Sequence, residues 1–158
     1  MQNSVPAAME LQVSQWFNTS VNLRLADLRG RVVVVHVFQM LCPGCVEHGL
    51  PQAQRIAQAF AKRELTLIGL HSVFEHHAVM TPAALEVFLH EYRIRFPVAV
   101  DLRGEPGPLP RTMQAWQLEG TPSLLVFDRQ GRLRLRQLGQ VDDLPLGALL
   151  GELLAQPA

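Results

Sequence analysis

RVVVVHVFQMLCPGC, residues 31–45, decides how this chain folds and where its chemistry sits. Val32–Phe38 is a nearly continuous β-branched and apolar run, the pattern of a central parallel strand buried on both faces. Val46–Arg63, just beyond, reads as a helix. Between them stand the chain's two cysteines, as Cys42-Pro43-Gly44-Cys45. A C-x-x-C at a strand-to-helix junction suits dithiol–disulfide exchange. The nucleophile in that chemistry is a thiolate, and a free thiol is mostly protonated near neutral pH. The unpaired N–H groups and the macrodipole at a helix N-terminus favour a negative sulfur. Cys42 is expected at that terminus, with Pro43 opening the helix. Cys45 lies one turn further in, so Cys42 should attack and Cys45 should resolve.

Working outward, the elements alternate. Residues 1–20 have weak periodicity and are expected to run over the surface as an N-terminal extension, leaving 21–158 as one domain. Val21–Leu25 alternates like a short strand, and Ala26–Arg31 suits a turn. Pro51 should kink the active-site helix rather than end it, because good helix formers continue through Ala61. Leu65–His71 and Phe96–Val100 read as strands. Thr81-Pro82 reads as a capped start of a helix to about Tyr92. Residues 103–110, RGEPGPLP, form a loop, followed by a short helix over Arg111–Leu118. Ser123–Asp128 and Arg132–Leu138 read as a hairpin about Asp128–Gly131. The arginines at 132, 134 and 136 should face water and guard an edge, with Leu133 and Leu135 facing inward. A helix over Asp142–Leu154 closes the chain. The order predicts an α/β fold with a mixed central β-sheet flanked by helices on both faces.

Composition narrows the function. Lys+Arg and Asp+Glu each number 14, for a formal net charge of zero. That balance gives no support for nucleic acid or an anionic membrane as partner. No apolar run reaches membrane-spanning length. The N-terminal MQNSVPAAMELQVSQWFN has no basic n-region and no continuous apolar stretch, so it does not read as a signal peptide. The chain as written is expected in the cytoplasm, or in the periplasm if a leader has been removed. Two cysteines in one C-x-x-C do not make a structural disulfide framework.

Three stretches together resemble the thioredoxin-like superfamily, in its redoxin branch of TlpA-like thiol-disulfide reductases. They are VVVVHVFQMLCPGC, YRIRFPVAVD, and WQLEGTPSLLVFDRQGRLRLRQLG with its D-x-x-G turn. The resemblance covers about residues 20–155 and implies a thioredoxin-like fold. It implies that Thr121-Pro122 is a cis-proline loop facing the disulfide, where Thr121 pairs with an extended client strand. With Leu41, Pro43 and Gly44, these residues form the expected substrate contacts. His36, six residues before Cys42, falls where thioredoxins carry a buried acid, and is expected to accept the proton of Cys45. Set against that is an ordinary core histidine. Glu75 lies near the place where the reductase branch has a glutamate that tunes the buried cysteine. Set against that is a solvated loop residue. Two departures stand out. Leu41 replaces the family's usual tryptophan, and the helix proline comes one residue late, beside Gly49.

The expected activity is thiol-disulfide oxidoreduction on a disulfide-containing protein, recharged by a separate thiol electron donor. No cofactor is implied beyond the Cys42–Cys45 pair, and no oligomeric state is legible. One alternative is a peroxiredoxin-like thiol peroxidase, in which Cys42 becomes a sulfenic acid that Cys45 resolves. Gln39 argues against it, because the peroxidase loop carries a threonine three residues before the cysteine. Another is a metal-binding module using the cysteines with His48, His71, Glu75, His76 and His77. Flexible-loop spacing specifies no such site, and no metal is expected.

Overall fold

The computed structural model describes residues 9–158. One six-stranded mixed sheet organises them, in the order β1-β4-β3-β2-β5-β6. The strands are β1 (Val13–Phe17), β2 (Val32–Phe38), β3 (Leu65–His71), β4 (Val98–Asp101), β5 (Ser123–Phe127) and β6 (Leu133–Leu138). The helices are α1 (Leu50–Ala59), α2 (Pro82–Glu91), α3 (Arg111–Ala115) and α4 (Asp143–Ala155). β2, β3 and β4 run parallel, and β1, β5 and β6 join antiparallel. Val32–Phe38 is buried at every position, as a strand covered on both faces must be.

Alternate side chains of β2 feed two cores. Val32, Val34 and Phe38 pack with Leu50 and Ile56 of α1, Leu85 and Leu89 of α2, and Leu146 and Leu150 of α4. Val33, Val35 and Val37 pack with Leu25, Met113 and Trp116 on the other face. The sheet is thus flanked on both sides.

The N-terminal expectation needs correction. Val13–Phe17 is not a surface run but the edge strand of the sheet, with Trp16 opposite Ala99 and Phe17 opposite Val98. β4 would otherwise present an open row of N–H and C=O groups, and β1 satisfies it. Asn18 then turns the chain away, its amide donating to the carbonyls of Ile94 at 2.8 Å and Phe96 at 3.0 Å. Half-exposed edge residues leave little alternation to read. Residues 1–8 of the expected extension lie outside the described residues. Val21–Leu25 also forms no strand. The chain passes instead into a 3-10 turn, Leu25–Leu28, whose first N–H groups are accepted by the Glu10 carboxylate.

The hairpin and the α2 cap follow their local chemistry. Asp128 accepts from the backbone of Gln130 and Arg132 and from Arg132 Nε, closing the turn at Gly131. Thr81 Oγ1 accepts from Ala84 N at 3.2 Å.

Candidate active site

The carboxyl end of β2 leads into the C-x-x-C, and His71 at the end of β3 holds the turn between them. β2 ends at Phe38, and a turn closed by Cys42 N–H donating to Gln39 O at 3.1 Å leads into the cysteines. The helix begins at Pro43, with Val46 N–H donating to Cys42 O at 3.1 Å. It is not a regular α-helix at first. Cys45–Gly49 is a π turn, and α1 proper starts at Leu50 with Pro51 in its first turn. A π turn holds one residue more than an α turn. Pro51, expected to kink the helix, stands just after this π turn, in the first turn of α1.

Gly49 has a specific reason. A Cβ placed there would lie 2.4 Å from His36 Cε1 and 2.9 Å from Nε2. The imidazole and the π turn fit only because residue 49 has no side chain.

The two sulfurs lie 2.6 Å apart. Cys42 is partly exposed and Cys45 is fully buried. The Cys45 N–H points at Cys42 Sγ at 3.3 Å, a donor placed for a negative sulfur. The Cys42 thiol in turn reaches Thr121 O at 3.5 Å. The Cys45 thiol is pushed up to about 12. Burial is the main cause and the hydrogen bond with Cys42 the next, against smaller opposing contributions from the Gln39 backbone and the Thr121 side chain. The arrangement therefore pairs an accessible sulfur with a sheltered one that keeps its proton.

The other expected site residues divide. The Thr121–Pro122 peptide is cis, and Gly44 packs on it, a Cβ there falling 3.3 Å from Pro122 Cδ. Leu41 is 57 % exposed beside Cys42. His36 lies on β2, but forms no hydrogen bond to either sulfur, and its Nε2 is buried without a partner. Burial lowers its pKa to about 4. Glu75 is exposed and reaches the site only through Gln39, whose amide donates to Glu75 Oε1 at 3.4 Å. The histidines scatter. His71 is buried and accepts from Met40 N at 3.2 Å, while His77 reaches the carbonyl of Pro108. Among the described residues no three His, Cys, Asp or Glu side chains are grouped to hold a metal ion.

Gln39, which the sequence offered only as an argument against a peroxidase, has a structural place of its own. It is 1 % exposed, and its side chain accepts from Phe74 N at 3.2 Å and donates to Glu75 and to Thr121 Oγ1, each at 3.4 Å. It ties the loop after β3 to the cis-proline loop behind the cysteines. The sequence signal for that place is an amide directly after an apolar strand.

Comparison with known proteins gives the family and the fold. The AhpC/TSA family matches residues 5–136. The chain belongs to the AhpC/TSA family. This redoxin is 54 % identical to a crystallised thioredoxin-like superfamily protein, over 98 % of both chains, with a TM-score of 0.92. It is 58 % identical to a thiol-disulfide isomerase from Corynebacterium glutamicum, over 93 % of this chain and 95 % of that one, with a TM-score of 0.88. A thioredoxin-like protein solved in its oxidised form shares the fold at 22 % identity, over 99 % and 98 % of the two chains, with a TM-score of 0.76. The thioredoxin-like fold of the redoxin is thus established. No curated protein matches the chain. Among the described residues no helix is long and apolar enough to cross a membrane.

Proposed function

We propose that this redoxin is a thiol-disulfide oxidoreductase that reduces disulfides in protein clients. The observation that carries the reading is the unequal pair, Cys42 accessible and Cys45 buried with its pKa near 12, the sulfurs 2.6 Å apart. The relative named a thiol-disulfide isomerase supports it. Cys42 thiolate attacks one sulfur of the client disulfide, forming a Cys42–client bond and releasing the other sulfur as a thiolate that takes a proton. Cys45 then loses its proton and attacks Cys42 Sγ. The Cys42–Cys45 bond forms and the second client thiol leaves, so two electrons have passed to the client. A separate thiol donor returns the pair to the dithiol, and no other cofactor takes part.

The Cys45 proton goes to the departing client thiolate rather than to His36, which makes no hydrogen bond to either sulfur and is held to a pKa near 4 by burial. Glu75 acts at one remove, through Gln39 and Thr121. Leu41, Pro43, Gly44, Thr121 and Pro122 form the surface against which the client strand lies. Buried Gln39 stands where a peroxidase needs its threonine, and its amide is engaged with the loops around it.

The test is reduction of a disulfide-bonded protein with dithiothreitol as donor. Cys42→Ser is expected to abolish turnover, and Cys45→Ser to accumulate a mixed disulfide at Cys42 visible by mass. Retained turnover in Cys42→Ser refutes the reading. Peroxide consumption faster than client reduction would favour the peroxidase instead.

A further inference from the structure

A cavity beside the active-site helix has no part in the exchange chemistry. It holds about 320 Å³ and opens between the π turn and the segment 139–143 that leads into α4. Gly139 N–H donates to Pro122 O at 2.8 Å and fixes that wall to the cis-proline loop. His36 lines the cavity at its buried end, 2 % exposed, with Nε2 unpartnered. The Cε1–Nε2 edge of the ring faces Gly49, where any side chain would fill the space beside it. Buried polar atoms normally find partners. This one has none within the protein, and the cavity is lined by its ring.

The walls say what fits. Glu47, Asp142, Asp143 and Arg55 all line the space, as does His48. Arg55 donates to both oxygens of Asp143, and Gln52 donates to one of them at 2.8 Å, so that carboxylate is compensated. Among the described residues Glu47 and Asp142 enter no ion pair. The cavity therefore presents surplus negative charge and, with the neutral ring's proton on Nδ1, an acceptor nitrogen. A guanidinium, planar and carrying five N–H donors, satisfies both at once.

Position links the cavity to the client. Thr121 O lies 3.5 Å from Cys42 Sγ, and Pro122, the next residue, lines the cavity. A client strand lying along Thr121 carries its neighbouring side chains past the opening.

We infer that this cavity is a client subsite for an arginine side chain, set within about two residues of the client's reactive cysteine. The guanidinium donates to His36 Nε2 inside and meets Glu47 and Asp142 at the walls. This rests on the oxidoreductase reading, and it adds a charge preference to it.

Two measurements test the inference. In the first, the full chain reduces disulfide-linked peptide pairs that differ only at the residues flanking the cysteine: arginine, norleucine or glutamate. The arginine pair is expected to show kcat/KM about tenfold above the norleucine pair, with the glutamate pair lowest. The ratio of arginine to norleucine should fall to about twofold or less in Glu47→Gln/Asp142→Asn and at high salt. Equal rates for the three pairs, or a ratio unchanged in the double variant, overturn the subsite while leaving the oxidoreductase reading intact. If no pair is reduced at all, that reading fails first. The second measurement needs no turnover. N-acetylarginine amide, titrated to millimolar concentration, should shift the NMR signals of the His36 ring and the Gly139 and Val141 amides saturably. N-acetylnorleucine amide should not. Absence of those shifts overturns the inference whatever the kinetics. Shifts without a rate preference would mean a separate small-cation site and would overturn it as a client subsite.

Discussion

His36 on β2 and His71 on β3 flank the ring of Phe38, the first stacked on it at 5.7 Å and the second tilted against it at 5.1 Å. Both are almost wholly buried, and burial lowers both to about 4. Their fates differ at one atom. His71 Nε2 accepts the Met40 N–H and so holds the turn that delivers Cys42. His36 Nε2 has no partner and borders a cavity. Burial and a lowered pKa therefore do not distinguish a scaffold histidine from one left available. The partner of the second nitrogen does.

The widest way to break that contrast is truncation. His71→Ala removes a packed ring and orphans a buried N–H, and is expected to cost about 2–4 kcal/mol in urea unfolding. His36→Ala removes an unsatisfied nitrogen along with its ring and merges with an existing cavity, so its cost should be about 1–2 kcal/mol. Equal costs would erase the distinction.

Titration probes what the two share. Each folded pKa lies below the ordinary value of 6.5, so the unfolded chain binds the extra protons. The histidines cost nothing above pH 6.5, and stability falls as pH drops from there towards about 4. Each imidazole contributes a slope of up to about 1.4 kcal/mol per pH unit in that window. His36→Gln and His71→Gln should each remove one share. A stability profile flat between pH 7 and 5 would contradict the neutral burial of both.

The smallest effect sharpens the comparison most. Gly49 has ordinary right-handed helical angles, φ −65° and ψ −53°, so alanine suits its backbone. In the native background the new Cβ must displace the His36 ring, and Gly49→Ala should destabilise by about 1–2 kcal/mol. In a His36→Ala background the same change should stabilise by about 0.5–1 kcal/mol, the usual helical gain of alanine over glycine. A double-mutant cycle reads the sign reversal directly. Additive effects would mean that the ring does not depend on the glycine.

Much of the frame was legible in local patterns. The β-branched run of β2, the Thr81 cap and the Asp128 turn each carry their cause within a few residues. Edge strand β1 does not, because its reason is the open edge of β4, more than eighty residues away in the register Val13–Asp101. Asp101 makes the same point. It reads as a strand end, yet it caps α3 by accepting from Thr112 N at 2.8 Å and Met113 N at 3.0 Å. Ser72 on a third segment completes its shell.

The site divides along the same line. Sequence alone located the cysteine pair and its setting, because the spacing of two cysteines and the strand-to-helix switch are local properties. It also placed Thr121-Pro122 beside them by resemblance. Only the tertiary structure decided that Cys45 is sheltered while Cys42 is open, since burial depends on what packs from α1, β2 and the cis-proline loop. It alone joined Gln39 to Thr121 across 82 residues, and fitted His36 to Gly49 through a π turn. Those contacts depend on side chains meeting in space, and a one-dimensional pattern carries no record of which atoms are left without a partner.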